Sequence, residues 1–190
     1  MDLEKIEAGV RLILEGLGRG KLSEEMWAHT PRRVAEALAE LCYGLDRNPE
    51  DEIEVTFQEP YDEMVVLRDI PFHSLCEHHL LPFIGRASLV YLPKGGRIVG
   101  VSKLARVLQV AAARPQLQER LTSQVADALM EKLRPHGVLV HVEAEHLCMT
   151  IRGIKKPGSV LVTSAIRGLF RTDPAARAEA LALLSRSAAR

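Results

Sequence analysis

The chain has 190 residues, enough for one substantial core or a domain with a helical arm. Hydrophobic residues make up 47% and charged residues 26%, which separates it from disordered chains. Lys+Arg and Asp+Glu are both 25, so no global basic field favours nucleic acid or an anionic membrane, and a polyanionic ligand must be met by a local cluster.

The first residues, MDLEKIEAGVRLILEGLG, interleave acids and bases with apolar residues, unlike the apolar core of a signal peptide. No stretch approaches the roughly 20 apolar residues that span a bilayer, and the cytoplasm is the expected location. Ile6, Val10, Ile13, Leu14 and Leu17 recur at helical spacing before Gly18 and Gly20, predicting an amphipathic helix. Thr30-Pro31 reads as the cap and first residue of a second helix through RRVAEALAELCYGL. Cys42 on that helix reads as a small buried hydrophobe. With only Cys76 and Cys148 besides, the chain lacks a disulfide framework; in a reducing compartment its cysteines are thiols or metal ligands.

MVVLRDI and RASLVYLP read as strands joined by the segment HSLCEHHLLPFIG. Gly95-Gly96 predicts a turn, RIVGVS a short extended piece, KLARVLQVAAA a helix ending near Pro115, and PQLQERLTSQVADALMEKL another helix. After Gly137, VLVHVEAEHLCMTIRG and VLVTSAI read as strands around a KKPGS turn. Asp173-Pro174 starts a last helix, AARAEALALLSR. The main domain is therefore expected to run β-β-α-α-β-β.

Cys76 and His79 form a Cys-x-x-His pair that can converge on one ion from a single turn, and thiolate with imidazole suits zinc. If the strand after Gly137 continues, Val140, Val142, Ala144, His146, Cys148 and Arg152 share one face, with about 6.6 Å between nearest neighbours on it. Apolar residues would then give way to a base, a soft ligand and a fixed cation. Cys148 supplies a third donor. Three readings stand on these residues: an open catalytic site, a structural site closed by His73, His78 or His146, and no metal. Glu77 is left without a role, as are His73, His136 and His141.

SLCEHHLLPFIG, VGVSKLARVLQVAAARPQLQERLT and HLCMTIRG resemble, in order and spacing, the signature segments of GTP cyclohydrolase I. The resemblance extends from about Thr30 to Phe170. It implies an α+β tunnelling fold, a β-β-α-α-β-β antiparallel sheet with helices on one face, preceded by N-terminal helices. Residues 1–50 would form a helical arm and 51–190 the catalytic domain with a C-terminal helix. It also implies a homodecamer of two pentamers, with GTP as substrate and one zinc ion per subunit on Cys76, His79 and Cys148. Zinc-activated water would attack C8 of the purine, opening the ring, releasing formate and leading to 7,8-dihydroneopterin triphosphate in folate and biopterin synthesis. By the same resemblance His146 protonates N7, His78 shuttles protons or orients the ribose, and Ser102 assists the sugar rearrangement. Lys103, Arg106 and Arg152 contact phosphate, as does Arg33 from another subunit, and Gln118 with Glu119 reads guanine. Glu36 departs from relatives that carry lysine near the phosphates. Two other readings share parts of the pattern: a tunnelling-fold relative acting on a pterin or deazapurine, and a noncatalytic zinc-stabilised assembly.

Overall fold

The computed structural model describes residues 1–185, in two compact units, Met1–Tyr43 and the chain from Gly44 onward. In the first unit, helix α1 (Leu3–Gly18) opens on Asp2, whose carboxylate accepts from the Lys5 amide at 3.0 Å, and ends where Gly18 takes a φ of 100°. Val10 and Leu14 are buried, but Ile13 and Leu17 of the expected apolar stripe are exposed. Helix α2 (Glu24–Leu41) begins seven residues before the expected Pro31 start. Ser23 caps it by accepting from the Met26 amide at 3.1 Å, and Glu24 and Glu25 suit the positive end of the helix dipole. Pro31 is thus interior, where it omits one backbone bond without ending the helix. Cys42 follows α2 and is buried, which pushes its thiol pKa up.

The second unit is built on a five-stranded sheet ordered β5-β2-β3-β6-β7. Its strands are β2 (Val65–Cys76), β3 (Pro82–Leu92), β5 (Pro115–Gln116), β6 (Gly137–His146) and β7 (Leu161–Gly168). Every neighbouring pair is antiparallel except β2 with β5. A separate two-stranded pairing joins β1 (Thr56–Gln58) to β4 (Arg97–Val99), after the turn in which Gly95 and Gly96 both take positive φ. Helices α3 (Val101–Ala112) and α4 (Gln118–Leu133) cover one face of the sheet. Leu104, Leu108, Leu121, Val125 and Leu129 pack there with Phe83, Leu89, Tyr91, Val138, Val140 and Val142. Apart from the short strands β4 and β5, the order β2-β3-α3-α4-β6-β7 is the expected β-β-α-α-β-β. After the short helix α6 (Leu169–Thr172), α7 (Pro174–Ser185) pads the opposite face, where Phe170 and Ala180 meet Val90 and Leu139. Asp173 caps α7, accepting from the Ala175 and Ala176 amides at 2.8 and 3.1 Å; Arg186, the end of the expected helix, lies outside the described residues. Among the described residues no helix is long and apolar enough to cross a membrane.

Strand β2 is not continuous in register. Leu67 pairs with Leu89 but Ile70 with Ala87, so Arg68 and Asp69 together oppose Ser88 in a β-bulge, with Asp69 at a φ of 56°. The extra residue inverts the alternation. Val65 and Leu67 pack toward the helices before the bulge, and Ile70, Phe72 and Cys76 do so after it.

The centre of the sheet is tightest at Gly85 in β3. A Cβ there would meet the Glu143 carbonyl and approach the Ala144 Cβ to 2.7 Å. Gly85→Ala should therefore force β3 from β6 and cost about 3 kcal/mol, the upper end of overpacking penalties. Thermal unfolding of the variant checks this; an unchanged midpoint would mean that the strands part freely.

Candidate active site

The segment between β2 and β3 is shorter than the sequence pattern suggests, because β2 runs through HSLC to Cys76 and β3 resumes at Pro82. Residues 77–81 make a tight turn closed on Cys76. The Cys76 carbonyl accepts from the His79 and Leu80 amides at 3.2 and 2.8 Å, its amide donates to Leu81 at 2.8 Å, and Leu80 takes a φ of 54°. Strand β5 lies beside this turn, paired through Leu75 with Pro115 and Cys76 with Gln116, and it brings the first turn of α4 alongside.

From the other side, β6 ends at His146, opposite Phe83, and does not continue through Cys148 and Arg152 as expected. β3 begins at Pro82, so little strand remains for further pairing, and local bonds take over. The Thr150 hydroxyl donates to the His146 carbonyl at 3.0 Å and the Ile151 amide to Leu147 at 3.1 Å, forming the turn α5 (Leu147–Thr150). Val140, Val142 and Ala144 do share the buried face, but Cys148 is delivered by a helical turn rather than by strand alternation. Glu145 steadies the following segment by accepting from the Thr150 hydroxyl and the Gly158 amide at 3.2 and 3.1 Å.

These elements converge on three soft or borderline donors. One ligand atom from each of Cys76, His146 and Cys148 lies within 4.8 Å of the others. Burial pushes the Cys148 thiol pKa up, as does its hydrogen bond with Cys76, while Arg152 opposes the shift. Two thiols and an imidazole drawn together in a partly dry place are a donor set that fits zinc, whose charge reverses the penalty on thiolates. His79, the expected third ligand, has its ring elsewhere: its Nε2 lies 3.1 Å from an Arg152 guanidinium nitrogen, which can only donate. His78 Nδ1 lies 4.0 Å from Cys76 Sγ.

His146 is held on two sides. Its ring stacks parallel to Phe83 with centroids 4.5 Å apart, and its Nε2 lies 2.9 Å from Gln118 Oε1. Burial lowers its pKa, and the Glu119 carboxylate pulls the other way. Gln118 is buried with its amide committed to protein atoms, whereas Glu119 is exposed. Glu77 has a partner that the sequence did not suggest: its carboxylate takes a forked pair of bonds from Arg120 at 2.6 and 3.3 Å, tying the turn to α4. No local spacing signals that pair, or the Phe83 stack, because both are made across elements.

The other expected residues are carried on other helices. Ser102, Lys103 and Arg106 occupy the first half of α3, with Lys103 3.8 Å from Glu54. Arg33 belongs to α2 in the first unit and pairs with Glu25 at 2.7 Å; Glu36 is neutralised by Arg32 at 2.8 Å on the same helix. An exposed pair of this kind is weak enough to exchange for a phosphate.

A model of the GTP cyclohydrolase I family matches residues 6–185. The chain belongs to the GTP cyclohydrolase I family. Among its relatives, GTP cyclohydrolase 1 of Carboxydothermus hydrogenoformans is 56% identical over 184 residues, covering 97% of this chain and 95% of that one. GTP cyclohydrolase 1 of Clostridioides difficile is 55% identical over 186 residues, covering 97% of each. Among solved structures, the apo form of the archaeosine synthase QueF-Like aligns with a TM-score of 0.45 at 17% identity, covering 58% of this chain and 97% of that one.

Proposed function

We propose that the chain, as a zinc-dependent GTP cyclohydrolase I, converts GTP and water to 7,8-dihydroneopterin triphosphate and formate in the cytoplasm, as a first step toward folate and other pterins. The observation that carries this reading is the convergence of Cys76, Cys148 and His146 beside the first turn of α4, in a chain of this family. Cys76, His79 and Cys148 would hold one zinc ion, His79 exchanging its hydrogen bond with Arg152 for the metal. When bound, zinc supplies the Lewis acidity that makes water a competent nucleophile toward purine C8 near neutral pH.

The chain's own groups do the rest. His146 holds the proton delivered to N7 as the imidazole ring opens, a task for which imidazole suits operating pH. His78, beside Cys76, moves a proton or orients the ribose. Glu119, exposed at the start of α4, can accept from both N1-H and the 2-amino group of guanine, a pair that adenine does not offer. Arg152, once released from His79, meets the triphosphate with Lys103, Arg106 and, from another subunit, Arg33. Ser102 assists the later sugar rearrangement. Membership of the family supports placing the complete site within a homodecamer of two pentamers, with Arg33 supplied by another subunit. The open edge of β7, with Leu161 and Val162 exposed, supports assembly through the sheet.

Zinc-loaded protein mixed with GTP should release formate and yield a product that becomes fluorescent on oxidation. Protein with confirmed zinc and GTP binding that forms neither would overturn the proposal.

A further inference from the structure

The side chain of Gln118 is tightly constrained. It is only 1% exposed, and both ends of its amide are engaged. Nε2 faces the Val142 carbonyl at 3.2 Å, the Leu161 carbonyl at 2.9 Å and Thr163 Oγ1 at 3.2 Å. Two of those three partners are backbone carbonyls, which can only accept. The opposite amide orientation would set an oxygen against both of them, so the nitrogen end is assigned by the network.

The neighbouring hydroxyls agree with that polarity. Thr122 Oγ1 donates to the Gln118 backbone carbonyl at 2.7 Å, which uses its one hydrogen. The 2.6 Å contact between Thr122 and Thr163 is then a donation from Thr163. Thr163 Oγ1 is left to accept from Gln118, as observed. Every hydrogen in this buried chain is accounted for, and Gln118 Oε1 is left pointing at His146 Nε2 at 2.9 Å. A carbonyl oxygen accepts, so Nε2 must carry a hydrogen. The parallel stack on Phe83 fixes the plane of the ring in which this bond is made.

We infer that Gln118 is a positioning residue that holds His146 as the Nε2-H tautomer, and that it does not read the guanine base. Its amide has no atom left for a ligand, and base recognition from this turn falls to the exposed Glu119 alone. The ring nitrogen that Gln118 does not engage is then Nδ1. The positioning role rests on the proposed role of His146 in proton transfer, but the tautomer itself is a property of the protein without substrate.

Solid-state 15N spectra of zinc-loaded, histidine-labelled protein test it directly, with the His146 signal identified by its loss in His146→Ala. The expected result is a protonated Nε2 with an unprotonated Nδ1; a protonated Nδ1 with a bare Nε2 would overturn the inference whether or not the protein turns over GTP. In folded Gln118→Met, kcat should fall about 10- to 100-fold, the range seen when the partner orienting a functional histidine is removed, with KM for GTP unchanged. A raised KM with unchanged kcat, and lost discrimination against inosine triphosphate, which lacks the 2-amino group, would return Gln118 to base recognition. If the wild-type protein makes no product, the functional proposal fails while the spectrum still decides the tautomer.

Discussion

Cys148→Ser should leave the protein folded, nearly free of zinc and without measurable formate release. Serine keeps the size of the side chain and the α5 turn, whose bonds run through Thr150 and Ile151 rather than the thiol. It replaces a soft donor that ionises on the metal with a hydroxyl that does not. The Lewis acidity lost is worth several kcal/mol in the transition state, so turnover should fall by roughly three orders of magnitude or more. Cys148 is the better position to test than Cys76, which is buried among Phe72, Phe83 and the α3–α4 core and whose loss would also disturb packing. Metal content after gel filtration, read beside formate release, checks the result. A variant that keeps one tightly held zinc per chain would remove Cys148 from the ligand set.

His146→Ala separates two roles that the structure brings close together. The imidazole lies within 4.8 Å of both thiols, near enough to ligate, yet it is also anchored by Gln118 and Phe83. With His79 as the third ligand, the variant keeps its zinc and loses turnover by about 10²- to 10⁴-fold, the usual worth of a positioned general acid. His79→Ala should show the opposite pattern, with metal lost first. If His146→Ala sheds zinc and His79→Ala retains it, then His146 is the ligand and the proton must come from another group.

Much of this could be read along the chain because the decisive physics is local there. The Asp173-Pro174 start of α7 and the Gly95-Gly96 turn are written in two residues each, and the buried alternation of Val138, Val140 and Val142 is a period-two pattern that survives into the sheet. The sequence misleads where one signal outweighs another or a distant partner decides. Thr30-Pro31 reads as a helix start, but the Ser23 cap and the acids after it open the helix earlier and outweigh one missing amide. HLCMTIRG reads as strand until one knows that β3 begins at Pro82 and leaves almost no partner beyond His146. The donors Cys76 and Cys148 are recognisable from residue type, but the partners that hold Glu77, His146 and Gln118 beside them are not. Arg120, Phe83 and Thr163 carry no motif, and Gln118 looks like an ordinary polar residue until its four contacts are seen together.

The bulge at Arg68 and Asp69 has a bearing on how this site tolerates change. On both sides of it β2 contributes side chains to the hydrophobic core, and downstream the same face also carries a thiol into the ligand cluster. One surplus residue sets the phase between scaffold and chemistry. Insertions or deletions between Val65 and Cys76 are therefore not interchangeable with substitutions: a side-chain change alters one contact, whereas one residue more presents Leu75, and one fewer Glu77, where Cys76 belongs.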